Sequence, residues 1–145
     1  MKVFLGGTCN ESKWRDTIIP LLKEADCYYF DPVVVDWDDK AKAIERKERK
    51  TCDFCLYTIT PRMKGVYSIA EVIDDSNKRP KKTLFCISKY DKDDNGKLIS
   101  FDEQELYSLN EVAKMVERNG GKSFTTLQSV VDYLNKENKK RNRFS

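Results

Sequence analysis

The sequence predicts an α/β protein: a single-domain sandwich of the Rossmann-like or flavodoxin-like type, in which helices flank a central, mostly parallel sheet of about five strands. Two observations predict this class. Short apolar runs alternate with longer stretches of helical spacing, which is the pattern of β–α–β units. The chain has 145 residues, 39% hydrophobic and 35% charged, which suits one core inside a charge-rich surface.

The elements follow from apolar spacing and from the residues that interrupt it. The predicted strands are 2–5, 27–30, 54–60, 82–88 and a brief one near 122–124, and the predicted helices are 11–25, 38–51, one starting at Ser68, 102–118 and 126–138. Pro20 lies inside the first helix and is expected to kink or split it. Asn119-Gly120-Gly121 is a C-cap signal that ends the fourth helix.

This alternation predicts where a ligand binds. Parallel strands joined by right-handed crossovers have all their carboxyl ends at one edge of the sheet. Ligands of such sheets bind beyond that edge. The loops after Leu5, Val35, Thr60 and Ser88 are therefore expected to form the site.

Composition limits the cellular compartment and the kinds of partner that are expected for the protein. No apolar run is long enough to cross a bilayer and the N-terminus turns polar too soon for a signal peptide, so a cytoplasmic protein is expected. The five Cys are expected to be free thiols. Much of the net charge of +3 collects in a basic tail at 136–145, which is interpreted as a solvated terminus rather than a nucleic-acid contact. One domain is expected over 1–145, with a polar insertion near 89–101.

The chain contains no His. This excludes Ser-His-Asp and Cys-His catalysis and any His-ligated metal site. Acid–base chemistry near neutral pH must then be performed by Asp, Glu, Cys, Tyr or Lys.

Ser68-Ile69-Ala70-Glu71 has two interpretations. As a motif alone, S-x-x-E is best explained as a capping box, with Ser68 as the N-cap and Glu71 at the third helical position. The other interpretation is catalysis, because a carboxylate in the first turn of this helix lies at the mouth of the expected cleft. There the helix N-terminus favours the charged form that a nucleophile needs.

Other polar residues near the strand ends also have two interpretations. Gly6-Gly7-Thr8 is either an ordinary tight turn or a close approach of the backbone to a ligand, and it lacks the full GxGxxG fingerprint. Glu45 by itself is typical of a solvated helix face. Trp37 lies between Asp36 and Asp38, and an aromatic on a site loop can stack on a nucleobase.

Four short segments follow one another along the chain, and their order matters more than any one of them. They are Phe4-Leu5-Gly6-Gly7-Thr8, Asp31-Pro32 with Asp36-Trp37-Asp38, Asp53-Phe54-Cys55-Leu56-Tyr57, and Ser68-Ile69-Ala70-Glu71. This ordered set, over 1–88, resembles the nucleoside 2-deoxyribosyltransferase-like family, whose nucleophile is a Glu in the last of these segments. Glu45 precedes Glu71 by 26 positions (71 − 45), and founding members of the family carry a site carboxylate at a similar offset.

The resemblance implies cleavage or transfer at the N-glycosidic bond of a (deoxy)nucleoside or (deoxy)nucleotide, with no cofactor and no metal. Glu71 would form a covalent glycosyl intermediate, and Glu45 or Asp36 would help to protonate the leaving base. The expected substrate contacts are Gly6, Gly7, Thr8, Trp37, Asp38, Arg62, Gly65 and Ser68, with Arg62 and Lys64 as candidates to hold a 5′-phosphate. Relatives often complete their sites with a neighbouring subunit, so a homo-oligomer is expected.

The sequence departs from the family pattern at three places, one of which is Val72-Ile73-Asp74-Asp75, where small residues after the nucleophile are common in the family. Phe4 replaces a first-strand Tyr that orients the nucleophile, and Lys64-Gly65-Val66-Tyr67 has no acid where founding members carry a carboxylate that holds the sugar hydroxyl. The Phe4 replacement and the missing acid support an alternative, in which the same scaffold is a non-catalytic module that binds a nucleotide or a nucleotide-derived signal.

The segment from Asp91 to Asp102 fits the EF-hand loop pattern apart from its final Asp. The residues before it are strand-like, so a polar loop or hairpin with a turn at Asn95-Gly96 is favoured over a calcium site. Cys52 and Cys55 form a lone C-x-x-C, which is interpreted as packing rather than as a zinc or redox motif.

Overall fold

A computed structural model describes residues 1–9 and 11–143. Within these residues, five parallel strands form a central sheet flanked by five helices in one domain, which confirms the predicted fold class. In chain order the elements are β1 Lys2–Gly7, α1 Trp14–Glu24, β2 Tyr28–Phe30, α2 Asp39–Thr51, β3 Phe54–Ile59, α3 Tyr67–Lys78, a 3-10 turn Pro80–Lys82, β4 Thr83–Ile87, β5 Tyr90–Lys92, β6 Leu98–Ser100, α4 Glu103–Arg118, β7 Lys122–Phe124 and α5 Leu127–Arg143.

The strand order determines where a cleft can open. The sheet runs β2-β1-β3-β4-β7, and all neighbouring strands are parallel. The chain winds outward from β1 to β2 and then returns past β1 to β3, so the winding direction reverses between β1 and β3. Doubly wound sheets have a crevice outside the carboxyl ends of their strands at this point. Gly7 and Thr58, which are register partners, mark that edge.

Two apolar layers hold the sheet between its helices. Successive strand residues point to opposite faces, so Val3 and Leu5 pack with α1 and α5, while Phe4 packs with α3 and α4. Every residue of β3 and β4 is buried, as expected for central strands covered on both faces. Each fully buried aliphatic or Phe side chain stabilises the fold by roughly 1.5–3 kcal/mol, so these strands are firm supports for the loops that leave them.

The glycine pair at the end of β1 is required by packing. Gly7 has φ 116°, and an added Cβ would overlap the carbonyl oxygen of Thr58 on the neighbouring strand. A Cβ on Gly6 would lie 2.7 Å from the Tyr57 ring. Both positions therefore need glycine for the close pairing of β1 with β3, whether or not a ligand binds.

Pro20 does not split the first helix, because α1 continues from Trp14 to Glu24. The amide that Pro20 lacks would have bonded the carbonyl of Asp16. Asp16 and Pro20 are both exposed, so the carbonyl that loses its helical partner lies on the solvent side of α1. The helix loses one hydrogen bond there without leaving a polar group in the core.

The last helix is longer than predicted. α5 continues to Arg143, so most of the expected basic tail at 136–145 is helical, and its last two positions lie outside the described residues. Arg141 pairs with Asp53 at 3.0 Å and lies over the Phe54 ring, which ties this end of α5 to β3. Among the described helices, none combines the length and apolar character needed to cross a membrane.

The polar insertion is a β-hairpin, as predicted. β5 and β6 pair antiparallel, with Gly96 at φ 78° in the turn between them. The hairpin acids are engaged in local contacts: Asp91 accepts a hydrogen bond from the Ser12 hydroxyl, and Asp93 accepts the amides of Asn95 and Lys97. The bond between Ser12 and Asp91 attaches the hairpin to the loop after β1, and the Asp93 bonds hold the turn of the hairpin. A strand stands where an EF-hand needs a helix before its loop.

Candidate active site

A cleft of about 790 Å³ opens beyond the carboxyl ends of β1 and β2. Its walls are the loops that follow these two strands, one face of α2 and the start of α3. The lining residues are Gly7, Cys9, Arg15, Pro32, Val33, Val34, Trp37, Lys42, Glu45, Arg46, Arg49, Tyr67, Ser68 and Glu71. The predicted loop after β4 does not take part, because Ser88 and Lys89 line a separate hollow with Leu127.

Glu71 faces this cleft rather than capping its helix. α3 begins at Tyr67 with Val66 as the N-cap, and no side chain makes a capping hydrogen bond. Ser68 is thus already inside the helix, and Glu71 lies in its second turn. The capping-box interpretation is therefore wrong: since the helix begins before Ser68, the S-x-x-E spacing no longer coincides with the cap, and the Glu71 side chain turns toward α2.

The carboxyl groups of Glu45 and Glu71 both line the cleft and interact directly with each other. Burial raises the pKa of Glu71 to about 7; Arg49 opposes this shift, and the neighbouring Glu45 adds to it. Burial also raises the pKa of Glu45. At neutral pH the pair therefore holds a proton between one acid and one carboxylate. The expected stabilisation of charged Glu71 by the helix N-terminus is outweighed by this burial.

Arg49 connects Glu71 to a buried polar network. Its guanidinium lies 3.3 Å from the Glu71 carboxylate and 3.0 Å from that of Asp75, and its Nε donates to the Tyr57 hydroxyl at 3.0 Å. Asp75 is fully buried, accepts a short hydrogen bond from Tyr57 and also pairs with Arg79. Burial by itself lowers the pKa of Arg49. The neighbouring Tyr57, Asp75 and Glu71 raise it by more than burial lowers it, so the net pKa is raised and this guanidinium stays charged.

Arg15 supports the opposite wall of the cleft. It is buried on α1, and its guanidinium donates to the carbonyl oxygens of Leu5 at 3.0 Å and Thr8 at 2.7 Å. These carbonyls belong to the end of β1 and the turn after it. A 3.5 Å contact to Asp31 adds a link to the loop after β2. Arg15 therefore holds together the two loops that begin the cleft.

Five of the predicted site residues line the cleft: Gly7, Trp37, Glu45, Ser68 and Glu71. Trp37 and the neighbouring lining residue Tyr67 are 53% and 73% exposed, so two aromatic faces are available at the entrance. The structure thus brings together the two glutamates that the family resemblance pairs, although they come from different helices.

The other predicted site residues lie outside the lining. Thr8 is buried and accepts the Thr60 amide at 3.0 Å, and Asp38 caps α2 by accepting the Ala41 amide at 2.8 Å. Arg62 donates to the Lys92 carbonyl and to Asp94, both at 2.8 Å, on the side of the hairpin. The remaining ones are Gly6, which packs under Tyr57, and the exposed residues Asp36 and Gly65.

Several lining residues were missed from the sequence because they lie on α2. This helix has no buried side chain, and its charge-rich pattern favours a solvated face. Yet Lys42, Glu45, Arg46 and Arg49 follow the i, i+3, i+4, i+7 spacing that places side chains on one helix face. That spacing was a usable signal for a shared surface. The spacing of these residues does not show which side of α2 faces the cleft.

One comparison with known proteins identifies a family. The model of the family described as nucleoside 2-deoxyribosyltransferase like matches residues 1–90, which includes every residue lining the cleft. No match was found among curated proteins or among solved structures. Since the family model covers more than half of the chain, the protein belongs to the nucleoside 2-deoxyribosyltransferase-like family.

Proposed function

We propose that this protein is an enzyme that cleaves the N-glycosidic bond of (deoxy)nucleosides or (deoxy)nucleotides, with Glu71 as the nucleophile. The observation that carries the proposal is that Glu45 and Glu71 lie together in the cleft and interact, with Arg49 beside Glu71. Two carboxyl groups in different protonation states are what a double displacement at an anomeric carbon requires. A module that only binds its ligand has no need of such a pair.

The first step forms a glycosyl ester. The Glu71 carboxylate attacks the anomeric carbon, the carbon–nitrogen bond breaks, and its electrons leave with the base. Glu45 gives its proton to the base nitrogen, so the base leaves neutral. We assign this proton to Glu45 rather than to Asp36, because Glu45 lines the cleft and Asp36 is exposed outside the lining.

The second step releases the sugar. A water oxygen, or a nitrogen of a second base, attacks the anomeric carbon and breaks the ester bond, which returns the Glu71 carboxylate. The Glu45 carboxylate takes the proton of the incoming nucleophile. Arg49 acts as a positioning residue: Tyr57 and Asp75 fix its guanidinium, so the Glu71 carboxylate has a constant partner 3.3 Å away.

The direct test is release of free base. Deoxynucleosides, ribonucleosides and their 5′-phosphates are incubated with the protein, and the products are separated by chromatography. With a 2-fluoro-substituted sugar, which slows both steps but slows hydrolysis of the ester more, intact-protein mass spectrometry should detect one added glycosyl group. If neither free base nor adduct appears with any substrate of the panel, the proposal is wrong.

The pH dependence of kcat/KM should be bell-shaped. The pair carries one proton near neutral pH. The contact between the two acids raises the pKa of Glu71 and lowers that of Glu45, so the resting proton lies on Glu71 and must pass to Glu45 before Glu71 attacks. Above about pH 7 that proton is lost, because the raised pKa of about 7 is the upper titration step of the pair, and the rate should fall. At low pH a second proton neutralises the nucleophile, and the rate should fall again. A rate that keeps rising through pH 9 would contradict this assignment.

Glu45→Gln is the variant that tests the fall in kcat/KM above pH 7. It removes the proton donor, so turnover of an ordinary nucleoside should drop. A 7-methylated purine nucleoside should be spared, because its base leaves as a neutral molecule without receiving a proton. Equal losses on both substrates would indicate that Glu45 serves structure rather than proton transfer.

A further inference from the structure

One face of α2 presents two uncommitted cations to the cleft. Lys42 and Arg46 are one helical turn apart, both line the cleft, and both are exposed. Neither side chain makes a hydrogen bond or an ion pair with another described residue. The other two cationic side chains of the lining already have partners. Arg15 donates hydrogen bonds to backbone carbonyls, and Arg49 forms ion pairs with Glu71 and Asp75.

The cleft is therefore positively charged before a ligand enters. Arg15 and Arg49 are offset by their partners Asp31 and Asp75. Lys42 and Arg46 then face the two carboxyl groups of Glu45 and Glu71, which share a proton near neutral pH, so positive charge is in excess. Nearby acids do not neutralise the two free cations: Glu48 pairs with Lys2 at 2.9 Å, and Asp38 is used as the cap of α2. An anionic ligand would relieve the mutual repulsion of the cations and supply the partners that they lack.

We propose that Lys42 and Arg46 bind a phosphate group of the substrate, so that the substrate class is a phosphorylated nucleoside rather than an uncharged one. That this ligand is a substrate rests on the proposed function, whereas the phosphate contact itself does not. Arginine offers a planar fork of donors that matches phosphate oxygens, and lysine adds a mobile point charge. Arg62, the contact expected from the sequence, is held by Asp94 and the Lys92 carbonyl outside the cleft.

The plain alternative is that Lys42 and Arg46 belong to a solvated helix face. The same helix supplies the comparison, because Lys47 and Lys50 are exposed, carry the same charge and do not line the cleft. The double variant Lys42→Gln/Arg46→Gln removes two charges from the cleft, and Lys47→Gln/Lys50→Gln removes two from the outer face. All four residues are exposed, so both variants should melt close to the wild-type temperature.

Binding is measured by calorimetry with C-nucleosides, whose glycosidic carbon–carbon bond resists this chemistry. The probes are formycin and pseudouridine, each free, as the 5′-monophosphate and as the 3′-monophosphate. In wild type, at least one phosphorylated probe should bind at least about tenfold more tightly than its parent nucleoside, as expected for two charge-assisted contacts. Lys42→Gln/Arg46→Gln should lose this preference, and the outer-face variant should keep it.

The outcomes separate this proposal from the proposed function. Equal binding of free and phosphorylated probes in wild type, no binding of any phosphorylated probe, or a preference that survives in Lys42→Gln/Arg46→Gln would each overturn the phosphate site. Base release from nucleosides and nucleotides at equal rates would leave the enzyme in place and also overturn it. Phosphate-dependent binding without base release would support the phosphate site and remove the enzyme.

Discussion

Replacement of Glu71 with Gln is expected to lower the rate of base release by at least about 10³-fold, because an amide cannot form the glycosyl ester. The change preserves side-chain volume, and Gln can still share a hydrogen bond with Glu45. It removes a carboxyl group whose charged form is disfavoured by burial, which offsets the loss of its ion pair with Arg49, so the stability of the folded state should stay close to that of wild type. The effect should therefore appear in kcat rather than in the yield of folded protein.

The measurement is single-turnover base release, with intact-protein mass spectrometry for the glycosyl adduct. Wild type should accumulate the adduct with the 2-fluoro sugar, and Glu71→Gln should not. Glu111→Gln is the matched control, because it makes the same chemical change on the exposed face of α4, far from the cleft in sequence and absent from its lining. Activity in Glu71→Gln within tenfold of wild type would rule out Glu71 as the nucleophile.

Asp75→Ala should produce the largest loss of stability, about 3–5 kcal/mol in the free energy of unfolding, as is typical when one partner of a buried charge pair is removed. Asp75 is fully buried and receives hydrogen bonds from Tyr57, Arg49 and Arg79. Its removal leaves the Tyr57 hydroxyl without its acceptor and the half-buried Arg49 with one strong partner fewer. Arg49 should then lose its fixed position beside Glu71.

Urea unfolding followed by circular dichroism checks this value. Asp74→Ala is the control on the same helix, because Asp74 is 45% exposed and pairs with Lys78 on the surface. Its contact with Arg49, at 3.6 Å, is longer than the contacts of Arg49 with Asp75 and Glu71. That variant should lose less than about 1 kcal/mol. If Asp75→Ala does not fold, Asp75→Asn keeps the side-chain volume and one acceptor and should show a smaller loss. A loss below about 1 kcal/mol in Asp75→Ala would mean that the buried network contributes little.

Most of the fold was predictable because its signals are local. Apolar runs long enough to be buried on both faces, such as β3 and β4, and the breakers between elements were enough to predict the alternation and the parallel sheet. The hairpin at Asn95-Gly96 was predictable from its turn residues for the same reason. The continuity of α1 through Pro20 was not, since it depends on which side of the helix faces solvent.

The candidate site was predictable only in part. The family resemblance picked out Glu45 and Glu71, and the sheet topology placed the cleft at the carboxyl ends of the strands. Helix boundaries shift by one or two residues with local packing, and that shift decided that Ser68 and Glu71 do not form a cap. The expected homo-oligomer and the cofactor-free reaction stay predictions.

The sequence by itself determined the fold class, the absence of histidine chemistry and the family to which the chain belongs. Only the tertiary structure decided that Arg49, Tyr57 and Asp75 form one network under Glu71, and that Lys42 and Arg46 rather than Arg62 face the cleft. The physical reason is that burial and charge pairing depend on neighbours distant in sequence. A pattern of charges along α2 cannot show which charges are paired until β3 and α3 are packed against it.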